Sequence, residues 1–328
     1  MKIINESMLA RFSEELAEKH GIPGMGAVFI KDGKIVSEHI QGVVDEAGTP
    51  VKEDTLYESA SLTKALFATL FLRLADRGIV SLDQPAVSQG APVWSDDPRF
   101  LEITPRQCLS HGTGLPNWSE KPMPFKFDPG TAYSYSGEGY YLLQHLAEYK
   151  LGKDWSQIMH EEFFDPWGMD VDVVWTPELA PRISHGFDKD NKLRKIRDEL
   201  DTDPITGEPN AAWSFYANAK YYAHFICSLM NERCGLSEEN FAEMTKAQNH
   251  AADGVDWGLG WGITDGVCWH WGDDGGYKNF VCWDPLTREG AVVYTNTDIG
   301  MSFYMELLKK LTEGFSLDKI EKFINSAE

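Results

Sequence analysis

The sequence predicts an α/β fold of the α+β type, in which one antiparallel sheet is built from both ends of the chain. A hairpin pattern comes early, with apolar residues at 27–30 and 35–36 on either side of Asp32-Gly33, a dipeptide typical of a tight turn. Strand patterns return only at residues 268–271, 280–284 and 291–295. The long stretch between them is helix and loop, so we expect an inserted, mainly helical subdomain.

Helical patterns lie at both termini and in the middle of the chain. Residues 1–20 form an amphipathic pattern, residues 62–78 an apolar helix that ends at Gly78, and residues 302–315 and 317–326 a final helical region. Further helices are predicted at residues 142–151, 155–164 and 217–230. We expect a single domain over residues 1–328, with the sheet part at about 1–60 and 255–328 and the helical part at about 61–254. The terminal helices should flank the sheet.

Composition excludes several classes of function. The net charge is −21 at pH 7, which argues against nucleic acid and anionic membrane surfaces as partners. No apolar run reaches the roughly 18 residues of a membrane span, and the N-terminus lacks a secretory pattern, so we expect a cytoplasmic protein. Five cysteines without a C-x-x-C pair predict reduced thiols, and nine scattered histidines predict no metal. The oligomeric state stays open.

Ser61-Leu62-Thr63-Lys64 is the most informative motif. On a helix, residues three apart differ by about 60° around the axis and about 4.5 Å along it, so the two side-chain tips can meet. An amine in that position can take the proton of a serine hydroxyl and activate it as a nucleophile. The later polar residues of this helix, Thr69, Arg73 and Asp76 among them, form a stripe that excludes Lys64, which predicts a buried lysine with a lowered pKa. The alternative is a surface lysine that follows a serine cap.

Several blocks in order resemble the serine β-lactamase and penicillin-binding-protein superfamily, in its class-C-like branch, which includes esterases and D-aminopeptidases. The blocks are TLYESASLTKALFATLFLRLADRGIVSLDQP, ITPRQCLSHGTGLP, PGTAYSYSGEGYYLLQHLAE, GLGWG and HWGDDGGYKNFVCWDP. The resemblance runs from about residue 22 to about residue 300. It implies a β-lactamase/transpeptidase-like fold and an acyl-enzyme mechanism that needs no cofactor.

The resemblance also implies a tyrosine that faces the nucleophile, in a Y-x-N element. Alignment on the Pro-Gly-Thr block places Tyr135 there, as the phenol that shares a proton with Lys64 and Ser61. The neighbouring tyrosines leave a packing role as the alternative. Gly137 stands where the family has asparagine, so an amide donor toward the substrate is absent at that position.

The third implied element is His270-Trp271-Gly272, in place of the founding Lys-Thr-Gly. By the family pattern the backbone N–H groups of Ser61 and Asp273 form an oxyanion hole, Gly272 lets the strand approach the substrate, and His270 supports Tyr135 or the substrate electrostatically. A packed edge histidine is the alternative for His270. Trp271 should narrow the cleft.

Weaker expectations concern the walls of the cleft and the substrate. Trp118, Trp213 and Tyr216 are expected to line the pocket, whereas His111 belongs to a block that is mainly structural in relatives. Trp271, Asp273 and Asp274 together suggest a substrate without a free carboxylate near the reacting bond.

We therefore expect a serine hydrolase that acts on a small ester, amide or lactam, with a small molecule or short peptide as its only partner. A β-lactamase or D-Ala-D-Ala-type peptidase is one alternative. A binding or sensor protein on a disabled hydrolase scaffold is the other.

Overall fold

The computed structural model describes residues 6–119, 122–196, 209–312 and 315–327. Its centre is an eight-stranded antiparallel sheet with the strand order β2-β1-β12-β11-β10-β9-β8-β7. The strands from the N-terminal end are β1 (Gly24–Lys31) and β2 (Lys34–Gly42). The other six strands are β7 (Asn249–Ala252), β8 (Val255–Trp257), β9 (Gly262–Thr264), β10 (Val267–Asp274), β11 (Tyr277–Asp284) and β12 (Glu289–Thr295).

Two small ladders lie outside the main sheet. β3 (Tyr57–Glu58) pairs with β6 (Tyr216–Ala217), and β4 (Gly186–Phe187) pairs with β5 (Leu193–Lys195). The first of these joins the segment before Ser61 to the segment before the helix at residue 219.

The helices are α1 (Glu6–His20), α2 (Leu62–Asp76), α3 (Ala86–Gln89), α4 (Pro105–Leu109), α5 (Gly137–Leu151), α6 (Trp155–Met159), α7 (Asp165–Trp167), α8 (Ala219–Glu232), α9 (Glu238–Thr245), α10 (Gly300–Leu311) and α11 (Leu317–Ala327). Every predicted helix is present, with shifted bounds. α5 begins five residues before the predicted start because the Ser136 side chain accepts the Gly139 N–H and caps it there. The predicted helix at 155–164 is present as α6 followed by a π-helical segment over His160–Phe164. Residues 1–5, 313 and 314 of the predicted terminal helices lie outside the described residues.

The predicted mixed fold with an antiparallel sheet is confirmed. β1 of the N-terminal end pairs directly with β12 of the C-terminal end, with Met25 opposite Thr295 and Ile30 opposite Gly290. Asp32 and Gly33 both have positive φ at the β1–β2 turn, as that kind of tight turn requires. The sequence analysis missed the three short strands β7, β8 and β9, of which the first begins at Asn249. Each has only three or four residues, too few to show a clear pattern.

Alternation along the strands separates two apolar layers. Ala27 and Phe29 of β1 pack with α1, α10 and α11, whereas Val28 and Ile30 of the same strand pack with α2 and α8 on the other face. The terminal helices therefore cover one face of the sheet. Helix α2, which follows Ser61, lies against the opposite face, where it contacts β10 and β11.

The segment before Ser61 is fixed to the sheet by close backbone contacts. Asn279 of β11 donates its side-chain amide to the Glu58 carbonyl at 2.8 Å, and the Ser59 N–H donates to the Phe215 carbonyl at 2.7 Å. Gly272 of β10 lies so near this segment that a Cβ atom there would stand 2.3 Å from the Ser59 carbonyl oxygen. Gly272 was predicted to let the strand approach the substrate, whereas the close approach in the structure is to the chain before Ser61.

Gly272→Ala should force β10 away from residues 59–61 and destabilise the protein by roughly 1–3 kcal/mol, because the added methyl group has no space. Urea unfolding measures this change. Gly26→Ala is the matched control, since a Cβ at Gly26 of the same sheet would make only ordinary contacts at 3.6 Å. Equal stability of the two variants would contradict the packing described for Gly272.

Candidate active site

Ser61 stands at a sharp turn between β3 and α2. Ala60, the residue before it, has a φ of +48°, a left-handed conformation that is uncommon for any residue with a side chain. The turn is closed by the Thr63 hydroxyl, which donates to the Ala60 carbonyl at 2.7 Å. α2 begins directly afterwards at Leu62. The turn places the Ser61 side chain at the boundary of two cavities, both of which it lines.

Lys64 lies one helical turn further and is 1% exposed, so the predicted burial is confirmed. Its Nζ is 3.0 Å from Ser61 Oγ and 2.8 Å from the Ala212 carbonyl oxygen. The polar stripe used to place Lys64 was partly wrong, because Thr69 is also fully buried and donates to the Ala65 carbonyl. The lysine amine is thus held between the serine and one carbonyl group.

The charge state of Lys64 follows from this burial. No carboxylate is among its described hydrogen-bond partners, and burial lowers the pKa of the ammonium from 10.5 to about 7. A neutral amine can donate one N–H to the Ala212 carbonyl and still present its lone pair to the Ser61 hydroxyl. The geometry therefore suits a base at neutral pH.

Tyr135 faces the same amine. Lys64 Nζ lies 4.8 Å from the centroid of the Tyr135 ring, and the ring contacts that of Trp271 with centroids 5.2 Å apart. The Tyr135 hydroxyl is buried and makes no regular hydrogen bond to the described residues. Burial raises the pKa of the phenol, and the nearby Ser61 hydroxyl partly offsets that rise. The structure thus brings Ser61, Lys64 and Tyr135 into one crevice.

His111 fixes the position of Tyr135 through contacts with its ring and with the backbone on both sides of it. Its carbonyl accepts the Ser134 N–H at 2.9 Å and its Nδ1 accepts the Ser136 N–H at 3.1 Å, so both neighbours of Tyr135 are tied to one histidine. The imidazole also stacks against the Tyr135 ring at 4.2 Å between centroids. Burial lowers the pKa of His111, which stays neutral. The expectation of a structural role for this block agrees with these contacts.

His270 is fully buried beside Trp271 and lines neither cavity. Its Nδ1 donates to the Trp271 carbonyl at 2.8 Å, and burial lowers the pKa of the imidazole to about 3. A neutral ring with its proton on Nδ1 cannot act as a cation. Electrostatic support by a charged His270 therefore does not fit this structure, and its support for Tyr135 is limited to a ring contact at 6.3 Å between centroids.

The two aspartates after Gly272 are paired with lysines. Asp273 binds Lys278, and Asp274 binds Lys195, which also lies 3.4 Å from the buried carboxylate of Glu58. Both aspartates line the cavity beside Lys64. The sequence suggested that these two aspartates repel a substrate carboxylate, but it did not reveal their lysine partners. The ion pairs reduce the negative charge that a substrate would meet and so weaken that argument.

Two cavities meet at Ser61. The larger, of about 430 Å³, is walled by Tyr133, Tyr135, Trp271 and Phe323, with Lys126 at its edge. The smaller, of about 180 Å³, is walled by Lys64, Trp118 and Trp213. The predicted wall residues Trp118, Trp213 and Trp271 are thus in place, whereas Tyr216 lies buried in β6 and lines neither cavity. Gly137 lies beneath the Trp118 indole.

Several functional residues were missed from the sequence. The Ala212 carbonyl orients Lys64, and a backbone group leaves no residue-type signal. Asn117 lines both cavities and its Oδ1 accepts the Gly137 N–H at 2.9 Å. Lys126 and Phe323 come from a loop and from α11, and only the fold brings them to Ser61.

The described residues contain no group of three or more His, Cys, Asp or Glu side chains placed to hold a metal ion. None of the helices described has the length and apolar character needed to cross a membrane. All five cysteines are unpaired, and four of them are buried.

A family model described as Beta-lactamase matches residues 9–310. The chain belongs to the β-lactamase family. Penicillin-binding protein 4 of Amycolatopsis lactamdurans is 24% identical over 352 aligned residues, which cover 91% of this chain and 87% of that protein. Esterase EstB of Burkholderia gladioli is 36% identical over 115 aligned residues, which cover 33% of this chain and 28% of that protein.

Solved structures show the same fold. The crystal structure of the D-alanine carboxypeptidase AmpC from Burkholderia cenocepacia superposes with a TM-score of 0.75 and 20% identity, over 93% of this chain and 98% of that chain. At this identity the likeness establishes the β-lactamase-family fold alone.

The lowered pKa of Lys64 has a measurable effect on stability. Between about pH 7 and about pH 10.5 the unfolded chain binds a proton at this lysine that the folded chain lacks, so Lys64 makes stability rise with pH by up to about 1.4 kcal/mol per unit. Relative to the parent, the unfolding free energy of Lys64→Met should therefore fall by roughly 2 kcal/mol from about pH 7.5 to about pH 9.5. Urea unfolding at both pH values measures it.

Lys126→Met removes an exposed lysine from the same cleft and is the matched control. The difference in unfolding free energy between Lys126→Met and the parent should be the same at both pH values. A Lys64→Met curve that also runs parallel to the parent would contradict a neutral Lys64.

Proposed function

We propose that this protein is a serine acyl hydrolase that cleaves a small ester, amide or lactam through an acyl-enzyme on Ser61. The observation that carries this proposal is the contact of the buried Lys64 amine, whose pKa burial lowers to about 7, with Ser61 Oγ at 3.0 Å, beside the phenol of Tyr135. Membership of the β-lactamase family supports it, and so do relatives named as an esterase and as penicillin-binding proteins.

The protonation states assign the roles. With its pKa lowered to about 7, about half of Lys64 is neutral at pH 7 and more of it at higher pH, and the neutral amine can accept the Ser61 proton as Oγ attacks the carbonyl carbon. Tyr135 keeps its proton, because burial raises the pKa of the phenol, and can give it to the departing alkoxide or amine. The proton then passes from Lys64 to Tyr135. Water hydrolyses the resulting ester of Ser61 by the reverse sequence.

The backbone N–H groups of Ser61 and Asp273 are the proposed oxyanion hole. Ser61 precedes the first residue of α2, and its N–H makes no hydrogen bond to the described residues. β9 pairs with β10 only as far as residue 269, so the edge of β10 at Asp273 is not covered by β9. Two such donors aimed at the developing oxyanion lower a reaction barrier by about 3–4 kcal/mol each in enzymes of this type.

The cleft favours a neutral, partly apolar substrate over the acids that β-lactamases and D-Ala-D-Ala peptidases cleave. Trp271 fills the wall beside Tyr135, and Lys278 and Lys195 are already engaged by Asp273 and Asp274, so these two cations are not available to pair with a substrate carboxylate. Among the described residues, Lys126 is the cation that lines the larger cavity, and it donates to the Ser134 hydroxyl at 2.9 Å. A β-lactamase or peptidase activity remains the second candidate, favoured by that lysine.

A binding or sensor protein is the alternative of another class. Its support was the loss of asparagine at residue 137 and the unusual Trp271. Against it stand the three proton-handling side chains, which lie together although they come from distant parts of the chain.

A fluorophosphonate probe tests the proposal directly. We expect one covalent adduct on Ser61, seen by intact mass and peptide mapping, because the probe reacts only with an activated hydroxyl. Ser61→Ala should abolish labelling and ester hydrolysis. Lys64→Ala and Tyr135→Phe should each lower kcat/KM by about a hundredfold or more, without full additivity in the double variant.

Ser110→Ala is the matched control, because Ser110 is a buried serine whose hydroxyl donates to the Arg106 carbonyl. This variant should label as the parent does. No adduct on the parent at high probe concentration, with the fold intact, would overturn the enzyme proposal in favour of a binding protein.

A further inference from the structure

The smaller cavity at Ser61 is walled by two tryptophans. Trp118 comes from the loop after Pro116 and Trp213 from the segment before β6, and both line the cavity of about 180 Å³ beside Lys64. Trp118 is 42% exposed, which is a large exposure for an indole. Such an exposed apolar face at the mouth of a cavity is characteristic of a ligand contact.

Gly137 fixes the position of the Trp118 indole. A Cβ at residue 137 would lie 2.5 Å from Cζ2 and 2.6 Å from Cη2 of Trp118, so the six-membered ring rests directly on the glycine. The loop is also tied to the start of α5, since the Asn117 carbonyl accepts the N–H groups of Gly137 and Glu138, each at 3.1 Å. One face of the Trp118 indole thus rests on Gly137, and the other face is open to the cleft.

Trp213 is held by the catalytic elements. Its neighbour Ala212 accepts a hydrogen bond from Lys64 Nζ, and its own N–H donates to the Asn210 carbonyl at 3.0 Å. Backbone hydrogen bonds therefore fix the segments that carry both indoles. Rigid aromatic walls bind flat rings well, because little conformational freedom is lost on binding.

The two cavities separate the halves of the substrate. Tyr135, the group that protonates the leaving group in the proposed function, lines only the larger cavity, whereas Trp118 and Trp213 line only the smaller one. With the reacting carbonyl at Ser61 between them, the leaving group occupies the larger cavity and the acyl group the smaller. A cavity of about 150 Å³ is enough to hold one benzene ring.

We propose that the cavity between Trp118 and Trp213 is an acyl-group site that selects esters or amides whose acyl part carries a single flat aromatic ring. This inference rests on the proposed function and adds the class of acyl group. It gives the glycine at residue 137 a role, since any side chain there would displace the Trp118 indole.

Matched p-nitrophenyl esters test this assignment. The phenylacetate and cyclohexylacetate esters have the same carbon skeleton, but only the first has a flat ring. The parent should prefer the phenylacetate by about two- to tenfold in kcat/KM, mainly through KM, because stacking on an indole favours an aromatic ring. Trp118→Ala and Gly137→Ala should each bring this ratio close to one, and the double variant should show the same ratio as Trp118→Ala.

Tyr149→Ala is the matched control, because Tyr149 is an exposed aromatic residue on the same helix α5 and lines neither Ser61 cavity. It should keep the parent ratio. A parent that does not distinguish the two esters, or a preference that survives both Trp118→Ala and Gly137→Ala, would overturn the acyl-site assignment while hydrolysis itself stands.

Binding without turnover separates this inference from the proposed function. Ser61→Ala keeps both indoles. Titration of this variant, followed by quenching of tryptophan fluorescence, should give a lower Kd for phenylacetamide than for cyclohexylacetamide. Trp118→Ala in the same background should remove this difference in Kd. Equal affinity for the two amides would contradict the aromatic site. No probe adduct on Ser61 together with selective phenylacetamide binding would overturn the hydrolase proposal and retain an aromatic-ring site.

Discussion

The burial of one lysine amine beside a serine hydroxyl is the constraint on which the active site depends. Lys64 has a carbonyl and a hydroxyl as its described hydrogen-bond partners, where a charged ammonium would need water or a carboxylate. This burial lowers the pKa of the lysine to about 7, which is the condition that the proposed base must meet. Burying the amine costs stability, and the same burial lowers the pKa of Lys64 as the proposed chemistry requires.

The fold meets this condition by holding three distant segments together. α2 carries Lys64 against the sheet and begins directly after Ser61, Gly272 lets β10 approach the Ser59 carbonyl, and His111 ties the backbone on both sides of Tyr135. All of these contacts are made within the protein and support the reactive side chains. They determine whether the hydroxyl, the amine and the phenol stay in one crevice, which is why small residues near the site matter as much as the reactive ones.

The sequence predicted those parts of the site that are encoded locally. The spacing of Ser61 and Lys64 and the apolar helix around them were sufficient to predict a buried lysine, and family blocks located Tyr135. Contacts between remote backbone groups, such as Lys64 with the Ala212 carbonyl, leave no trace in residue types. The ion pairs of Asp273 with Lys278 and of Asp274 with Lys195 depend on strand register and on β5, so the charge of the cleft was misjudged. Short strands such as β8 were missed because three residues carry little periodicity.

The titration of the Lys64 side chain itself tests the central claim most directly. In ¹H–¹³C spectra of protein labelled with [¹³C]lysine, one Cε signal should titrate near pH 7 and should be absent from Lys64→Met, which assigns it. Such a signal would establish a neutral amine beside Ser61 at physiological pH. If the signal lost in Lys64→Met titrates near pH 10.5 in the parent, like an ordinary lysine, then Lys64 is charged in the folded protein and cannot be the base.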